Sequence, residues 1–146
     1  MRTPSESSGL PAGADLERLL AADVERAAEE GRPYAIVTCM PQRVFDQGEA
    51  VLEAAAACLR NLLRDEDNPG LLGVGQGLVI GLPDTKLDGA RVLAHRLKSE
   101  LGQHTAHLGT TVWLAGYACL PKDGATADEL VQAALHGATA SRRHAA

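Results

Sequence analysis

Arg64 and Asp67 are side chains of types that can bind a ligand. A guanidinium group makes bidentate contacts with phosphate or with a guanine edge, and a carboxylate accepts hydrogen bonds from guanine. Both residues lie in the acidic run Arg64-Asp-Glu-Asp67, which is also typical of a solvated helix end. The sequence leaves both interpretations open.

Two other clusters lack the surroundings that their chemistry needs. Gly73-Val-Gly-Gln-Gly77 has the glycine spacing of a dinucleotide-binding loop, but that loop opens a helix and here a second apolar strand follows. A tight hairpin is therefore the better interpretation. His104 and His107 would need a third ligand from elsewhere in the chain to hold a metal ion, so we interpret them as part of a polar connector.

The three cysteines are odd in number and widely spaced, at Cys39, Cys58 and Cys119, with no Cys-x-x-Cys pair. That pattern argues against a disulfide framework and against a zinc site. We expect reduced cysteines among the apolar residues. The sequence predicts no metal site, no catalytic residue and no cofactor.

The composition is that of one soluble globular domain, with 146 residues of which 45% are hydrophobic and 23% are charged. A net charge of −5 and only one Trp, two Tyr and one Phe argue against nucleic acid as a partner. No apolar run is long enough to cross a bilayer, and the first residues lack the pattern of a signal peptide. We therefore expect a cytoplasmic protein that does not bind membranes.

The first residues differ in composition from the rest of the chain. Residues 1–13 combine Pro, Ser and Gly with almost no apolar periodicity, a composition that cannot offset the entropy cost of ordering. Helical spacing of apolar residues begins at Asp15. We predict a disordered tail over residues 1–13 and one folded domain over residues 14–146.

Apolar periodicity predicts four helices and four strands in the domain. The helices cover residues 15–30, 46 to about 64–67, 84 to about 103, and 126 onward. Capping boxes, Asp46 with Glu49 and Thr126 with Glu129, begin the second and the fourth of them. The strands cover residues 34–40, 71–73, 78–82 and 110–120.

Without the first and last helices, the order of elements is β-α-β-β-α-β. Right-handed crossovers then place the strands in the order fourth, first, third, second, with both crossover helices on one face. The prediction is an α+β fold, a ferredoxin-like antiparallel sheet of the palm type with added N- and C-terminal helices. Val37, Ile80 and Val112 are expected to be buried, and the end of the first strand, the glycine turn and the start of the last strand to share one rim.

Three stretches resemble the GGDEF family of bacterial diguanylate cyclases. Residues 16–37 (LERLLAADVERAAEEGRPYAIV) look like the lead helix and first strand of that family. Residues 77–101 (GLVIGLPDTKLDGARVLAHRLKSEL) resemble its second hairpin strand, Pro-containing turn and following helix, and residues 110–134 (TTVWLAGYACLPKDGATADELVQAA) its last core strand and the opening of its last helix. The likeness covers about residues 15–143 and lies in the order and spacing of the pieces.

The residues that carry chemistry in the family are absent. Alignment on Leu78–Pro83 puts Val74-Gly-Gln-Gly-Leu78 at the five signature positions, without either carboxylate. Cys39-Met-Pro-Gln42 stands where the family has a metal-binding Asp, and the next polar segment is shortened to residues 42–46. Joining nucleotides by phosphoryl transfer needs divalent cations held by oxygen ligands. The sequence therefore predicts that the chain is not an enzyme.

The resulting hypothesis is a catalytically inactive GGDEF-like module with a regulatory or protein-interaction role in bacterial signalling. Its partner is expected to be a protein, bound at the sheet rim through Met40, Val44, Phe45 and Gln76, because exposed apolar patches commonly mark protein contacts. Inward folding of Val44 and Phe45 into the vacated cleft is an alternative. The acidic first helix is a second candidate surface.

The alternative function is a receptor for cyclic di-GMP. The resemblance implies an allosteric Arg-x-x-Asp site just upstream of the signature, which corresponds to Arg64 and Asp67 here. In this chain six residues separate Asp67 from Val74, where the family pattern has five.

Overall fold

The elements occur in the predicted order. The computed structural model describes residues 9–42, 48–73, 77–110 and 112–145, the last five as backbone. In chain order the elements are α1 (Gly13–Glu30), β1 (Tyr34–Pro41), α2 (Gly48–Leu62), β2 (Asn68–Leu72), β3 (Gly77–Pro83), α3 (Leu87–Thr105), a short 3-10 helix (Ala106–Leu108), β4 (Trp113–Leu120) and α4 (Ala127–Ala145).

The four strands form one antiparallel sheet in the order β2-β3-β1-β4, which confirms the predicted strand order. The register pairs Cys39 of β1 with Leu78 of β3, and Pro41 of β1 with Trp113 of β4. This register brings the end of β1, the β2–β3 connection and the start of β4 to one rim of the sheet.

Helices cover both faces of the sheet. Residues of α2 and α3 pack on one face against Ala35, Val37 and Cys39 of β1. Residues of α1 and α4 pack on the other face against Tyr34 and Ile36. Because every residue from Tyr34 to Cys39 is 0% exposed, β1 has no polar side, which explains its nearly continuous apolar run.

Val112 is exposed, so the prediction that it is buried was wrong. Its side chain is 49% exposed, whereas Val37 and Ile80 are fully buried as predicted. The strand β4 begins at Trp113, one residue after Val112, because its partner β1 ends at Pro41. The Val112 carbonyl still accepts a hydrogen bond from the Gln42 N–H at 3.0 Å, but it lies beyond the paired residues.

The segment before α1 packs on the domain, although its composition predicted a disordered tail through residue 13. Leu10 and Ala12 contact the core under α2 and α3. The Pro11 carbonyl accepts a hydrogen bond from the Leu71 N–H at 2.9 Å. The segment before α1 therefore covers part of the outer edge of β2. Gly13 already belongs to α1. Residues 1–8 lie outside the described residues.

A buried polar cluster joins α1 to the sheet. Asp23 is 8% exposed and accepts hydrogen bonds from the Tyr34 hydroxyl, at 3.1 Å, and from the Asn68 amide. Burial, followed by the nearby Asp23 charge, raises the pKa of Tyr34 above its ordinary value, so its hydroxyl remains a donor. Gly81 leaves room for this hydroxyl, because a Cβ there would contact it.

Gly116 allows α4 to pack directly on β4. A Cβ at this position would contact the Ala134 carbonyl oxygen and lie 2.6 Å from the Ala138 nitrogen. Both are helix backbone atoms, which cannot move aside as the end of a flexible side chain can. The close approach of helix and strand therefore requires glycine.

We predict that Gly116→Ala destabilises the domain by about 2 kcal/mol or more, because overpacking displaces α4. Gly137→Ala is the matched control, since the nearest atom to its added Cβ is the Gly116 Cα at 3.9 Å. This control should be neutral or stabilising by up to about 1 kcal/mol, as alanine favours helix. Urea unfolding measures both variants, and equal stability of the two would contradict the packing argument.

Candidate functional site

The rim at the end of β1 is one candidate site, and its described side chains are apolar or uncharged. Cys39 is fully buried in the core under α2 and α3. Burial raises the pKa of its thiol to about 12, so the group is neutral at physiological pH. Met40, Pro41 and Gln42 follow, all partly buried. A neutral thiol, a thioether and one amide are poor ligands for Mg²⁺ or Mn²⁺.

The glycine run at the rim belongs to a hairpin, as the strand pairing shows. Leu72 of β2 pairs with Gly77 of β3. A Cβ at Gly77 would lie 2.5 Å from the Cys39 carbonyl oxygen and 3.1 Å from the Met40 Cγ, so β1 and β3 require a residue without a side chain here. The glycine run therefore joins two strands, in agreement with the hairpin interpretation.

Of the four residues predicted to bind a partner at this rim, Met40 belongs to the described part of the chain, where it is partly buried. Val44, Phe45 and Gln76 lie outside the described residues. Their participation in a binding surface stays a prediction.

Arg64 and Asp67 contact each other. The Arg64 Nη2 donates to the Asp67 Oδ1 at 3.0 Å, and the Arg64 Nε and backbone N–H donate to the Asp67 Oδ2 at 3.4 and 3.0 Å. The same Nη2 donates to the Pro83 carbonyl and the Thr85 hydroxyl, both at 2.9 Å. These bonds connect the end of α2 to the start of the β3–α3 connection.

Asp67 is occupied by this contact. Its side chain is 3% exposed and both carboxylate oxygens accept from Arg64, whose side chain is 48% exposed. The hydrogen bond that Arg64 donates to Asp67 raises the pKa of Arg64 further, which keeps the guanidinium charged. The pair lines a shallow cleft of about 470 Å³ together with Lys86 and Thr85. Its contacts are those of a structural link within the domain.

His104 lies near the end of α3 and His107 in the 3-10 helix that follows. His104 Nδ1 lies 2.8 Å from the Glu100 carbonyl oxygen and 3.9 Å from its carboxylate. Across the part of the chain that the structure describes, no group of three His, Cys, Asp or Glu side chains is placed to hold a metal ion. Within the same residues, no helix is both long enough and apolar enough to cross a membrane.

A larger cavity, of about 760 Å³, lies between α1 and α4. Sequence reasoning missed it because its walls come from the two ends of the chain. The exposed acidic residues of α1 were the one signal in the sequence that pointed toward this side of the domain.

Comparison with solved structures identifies the fold. The GGEEF domain of an active diguanylate cyclase from Vibrio cholerae superposes with a TM-score of 0.79 at 19% identity, over 92% of each chain. The GGDEF domain of DgcB from Caulobacter crescentus, in complex with c-di-GMP, gives 0.78 at 14% identity, over 95% of this chain and 86% of that chain. The diguanylate cyclase SiaD from Pseudomonas aeruginosa, in complex with its activator SiaC, gives 0.80 at 23% identity, over 94% and 57%.

The fold of this chain is thus that of GGDEF domains, which confirms at the level of fold the resemblance seen in the sequence. No protein-family model matches the sequence, and the search of curated proteins gives no match. At identities below a quarter the likeness concerns the fold, and function has to be argued from the site.

We predict that Arg64→Ala lowers the free energy of unfolding by about 2 kcal/mol, because the buried Asp67 carboxylate loses its charged partner. Arg91→Ala is the control, since Arg91 pairs with Asp88 at 3.4 Å with both side chains mostly exposed. The control should change stability by no more than about 0.5 kcal/mol. Urea unfolding curves measure both, and indistinguishable curves would show that the Arg64 contacts add no stability.

Proposed function

We propose that this chain is a catalytically inactive GGDEF-like module that acts in bacterial signalling through protein contacts, in the cytoplasm. The observation that carries the proposal is the combination of an intact cyclase-type sheet with the residues at its rim. The end of β1 has Cys39, Met40, Pro41 and Gln42 in place of a metal-binding carboxylate. The glycine turn has none either.

The chemistry of cyclic dinucleotide formation supports this proposal. Phosphoryl transfer from a triphosphate is catalysed by positioning and by charge stabilisation from divalent cations. Those cations need several hard oxygen ligands. In residues 38–42 and 73–78 the side chains with such oxygens are Thr38, Gln42 and Gln76, and the Thr38 side chain is fully buried. Two amides and no carboxylate are a weak ligand set for magnesium.

The activity of the Vibrio cholerae domain with the same fold belongs to that domain, because a shared fold supports different functions.

The DgcB domain in complex with c-di-GMP supports a second candidate function, a receptor that binds this ligand beside Arg64. In favour of it, the Arg64 side chain is half exposed next to Lys86 in a cleft. Against it, Asp67 is fully engaged. Calorimetric titration with cyclic di-GMP distinguishes the candidates, since receptor function requires saturable binding that Arg64→Ala abolishes.

The proposed contact surface is the rim that includes Met40, Val44, Phe45 and Gln76. The complex of SiaD with its activator SiaC supports the idea that a protein with a domain of this fold engages a regulatory protein. Apolar residues replace the polar contents of a nucleotide site at this rim, and contiguous exposed apolar residues commonly mark protein contacts.

We predict that the purified chain forms no cyclic dinucleotide from GTP with magnesium or manganese, because the cation ligands are missing. Chromatographic analysis of the reaction after several hours measures it, with an active cyclase as the positive control. Turnover that survives repurification and is abolished by a chelator would refute the assignment as a non-enzyme.

We further predict that Phe45→Asp or Gln76→Arg at the rim prevents capture of the protein partner from the native cell, since each introduces a charge into the contact surface. Glu25→Arg on the exposed side of α1 is the comparison variant, and thermal unfolding checks that all variants fold. Loss of the partner only with Glu25→Arg would place the interface on α1. Retention in every variant would leave no support for either surface.

A further inference from the structure

The cleft between α1 and α4 has an apolar lining. Val79 of β3 is buried at its floor, and Leu16 and Leu20 of α1 and Val131 of α4 form its sides. Its volume is about 760 Å³. This space is large enough to take several apolar side chains from another molecule.

Carboxylates flank this apolar cleft. Glu17 of α1 and Asp128 of α4 line it and are exposed, and no Lys, Arg or His lines it among the described residues. The neighbouring Asp15 is paired with Arg18. Within the described part of the chain, neither Glu17 nor Asp128 has an ion-pair or hydrogen-bond partner through its side chain. The cleft therefore presents an apolar floor with uncompensated negative charge at its sides.

We propose that this cleft, lined by α1, α4 and residues of β2 and β3, is a docking site for a basic amphipathic helix of a partner protein. The apolar side of such a helix fills the cleft, and its flanking Lys or Arg side chains pair with Glu17 and Asp128. Charge complementarity thus selects the partner chemistry. The proposal goes beyond the rim contact and uses none of the four rim residues.

The mode of binding follows from the edge of β2. An extended peptide would add to the sheet through free backbone groups at this edge, but Leu71 already donates its N–H to the Pro11 carbonyl. The remaining mode is a helix laid into the cleft between two helices. The first eight residues of this chain, MRTPSESS, have one large apolar side chain, Met1, and a carboxylate, Glu6, so they do not match the required pattern.

The first experiment uses a fluorescein-labelled helical peptide with Leu at positions i, i+4, i+7 and i+11 and with Lys beside them. A second peptide has Glu in place of each Lys. Fluorescence anisotropy with the full chain should show saturable binding of the Lys peptide and about tenfold weaker binding of the Glu peptide. Absence of saturable binding of the Lys peptide overturns the proposal.

Two alanines of α1 provide matched variants for the location of the site. Ala21 lines the cleft and Ala22 does not, although both are exposed. Ala21→Arg should abolish binding of the Lys peptide, and Ala22→Arg, with the same added charge, should leave it within about twofold. An equal effect of both variants would show general charge attraction to α1 and would overturn the cleft assignment.

The carboxylates are tested by neutralisation. Glu17→Gln combined with Asp128→Asn should weaken the Lys peptide about fivefold, the effect of losing two exposed ion pairs. Glu25→Gln combined with Glu29→Gln removes the same charge from α1 outside the cleft and should have no effect. Thermal unfolding checks each variant. Equal weakening by both pairs contradicts the assigned role of Glu17 and Asp128.

Sedimentation of the chain without peptide tests whether a second copy of the chain occupies the cleft. Dimerisation that Ala21→Arg prevents would show that a second copy of the chain fills the cleft, and it would overturn the proposal of a separate partner. A monomer at all concentrations, together with peptide binding that Ala21→Arg abolishes, supports it. A failure of the rim variants to affect partner capture leaves these peptide measurements unchanged, so the two proposals are tested separately.

Discussion

The burial of β1 on both faces is the constraint on which the rest of this structure depends. Residues Tyr34 to Cys39 are fully buried, so one helix layer on each side is required to remove the strand from water. Among the buried side-chain polar atoms of β1, the Tyr34 hydroxyl donates to Asp23 of α1, which also accepts a hydrogen bond from the Asn68 amide of β2. The Thr38 hydroxyl has no hydrogen-bond partner among the described residues. On the neighbouring strand, Gly116 lets α4 come close enough to complete the second layer.

The order of elements and of strands was predictable because it depends on patterns local in sequence and on one general rule of handedness. Local capping was predictable in the same way: the Glu129 N–H donates to the Thr126 hydroxyl at 3.2 Å, and the Thr126 N–H donates to the Glu129 carboxylate at 3.2 Å. The other predicted box includes Asp46, outside the described residues. The predictions that were wrong concern features that depend on contacts between residues distant in the sequence. Val112 lies outside the strand pairing because β1 ends at Pro41. Pro11 packs on the sheet because the edge of β2 offers it a hydrogen bond.

For the candidate sites too, local patterns were predictable and contacts distant in the sequence were not. The types of Arg64 and Asp67 predicted either a ligand-binding pair or a solvated helix end. The contact between the two side chains, and the further acceptors at Pro83 and Thr85, are seen only in the folded chain. The α1–α4 cleft was out of reach for a stronger reason. Its sides come from α1 and α4 and its floor from the sheet, and a space between such elements is a property of their packing. No local pattern in the sequence records it.

Packing around positions 39 and 77 limits which side chains the domain tolerates at the rim. The side chain at position 39 is fully buried, and a carboxylate there without a bound cation would place an unpaired charge in the core at a cost of several kcal/mol. At position 77 the constraint is steric, because a Cβ there would lie 2.5 Å from the Cys39 carbonyl oxygen. In a domain that binds no cation at this rim, stability therefore favours residues such as Cys39 and Gly77 over acids.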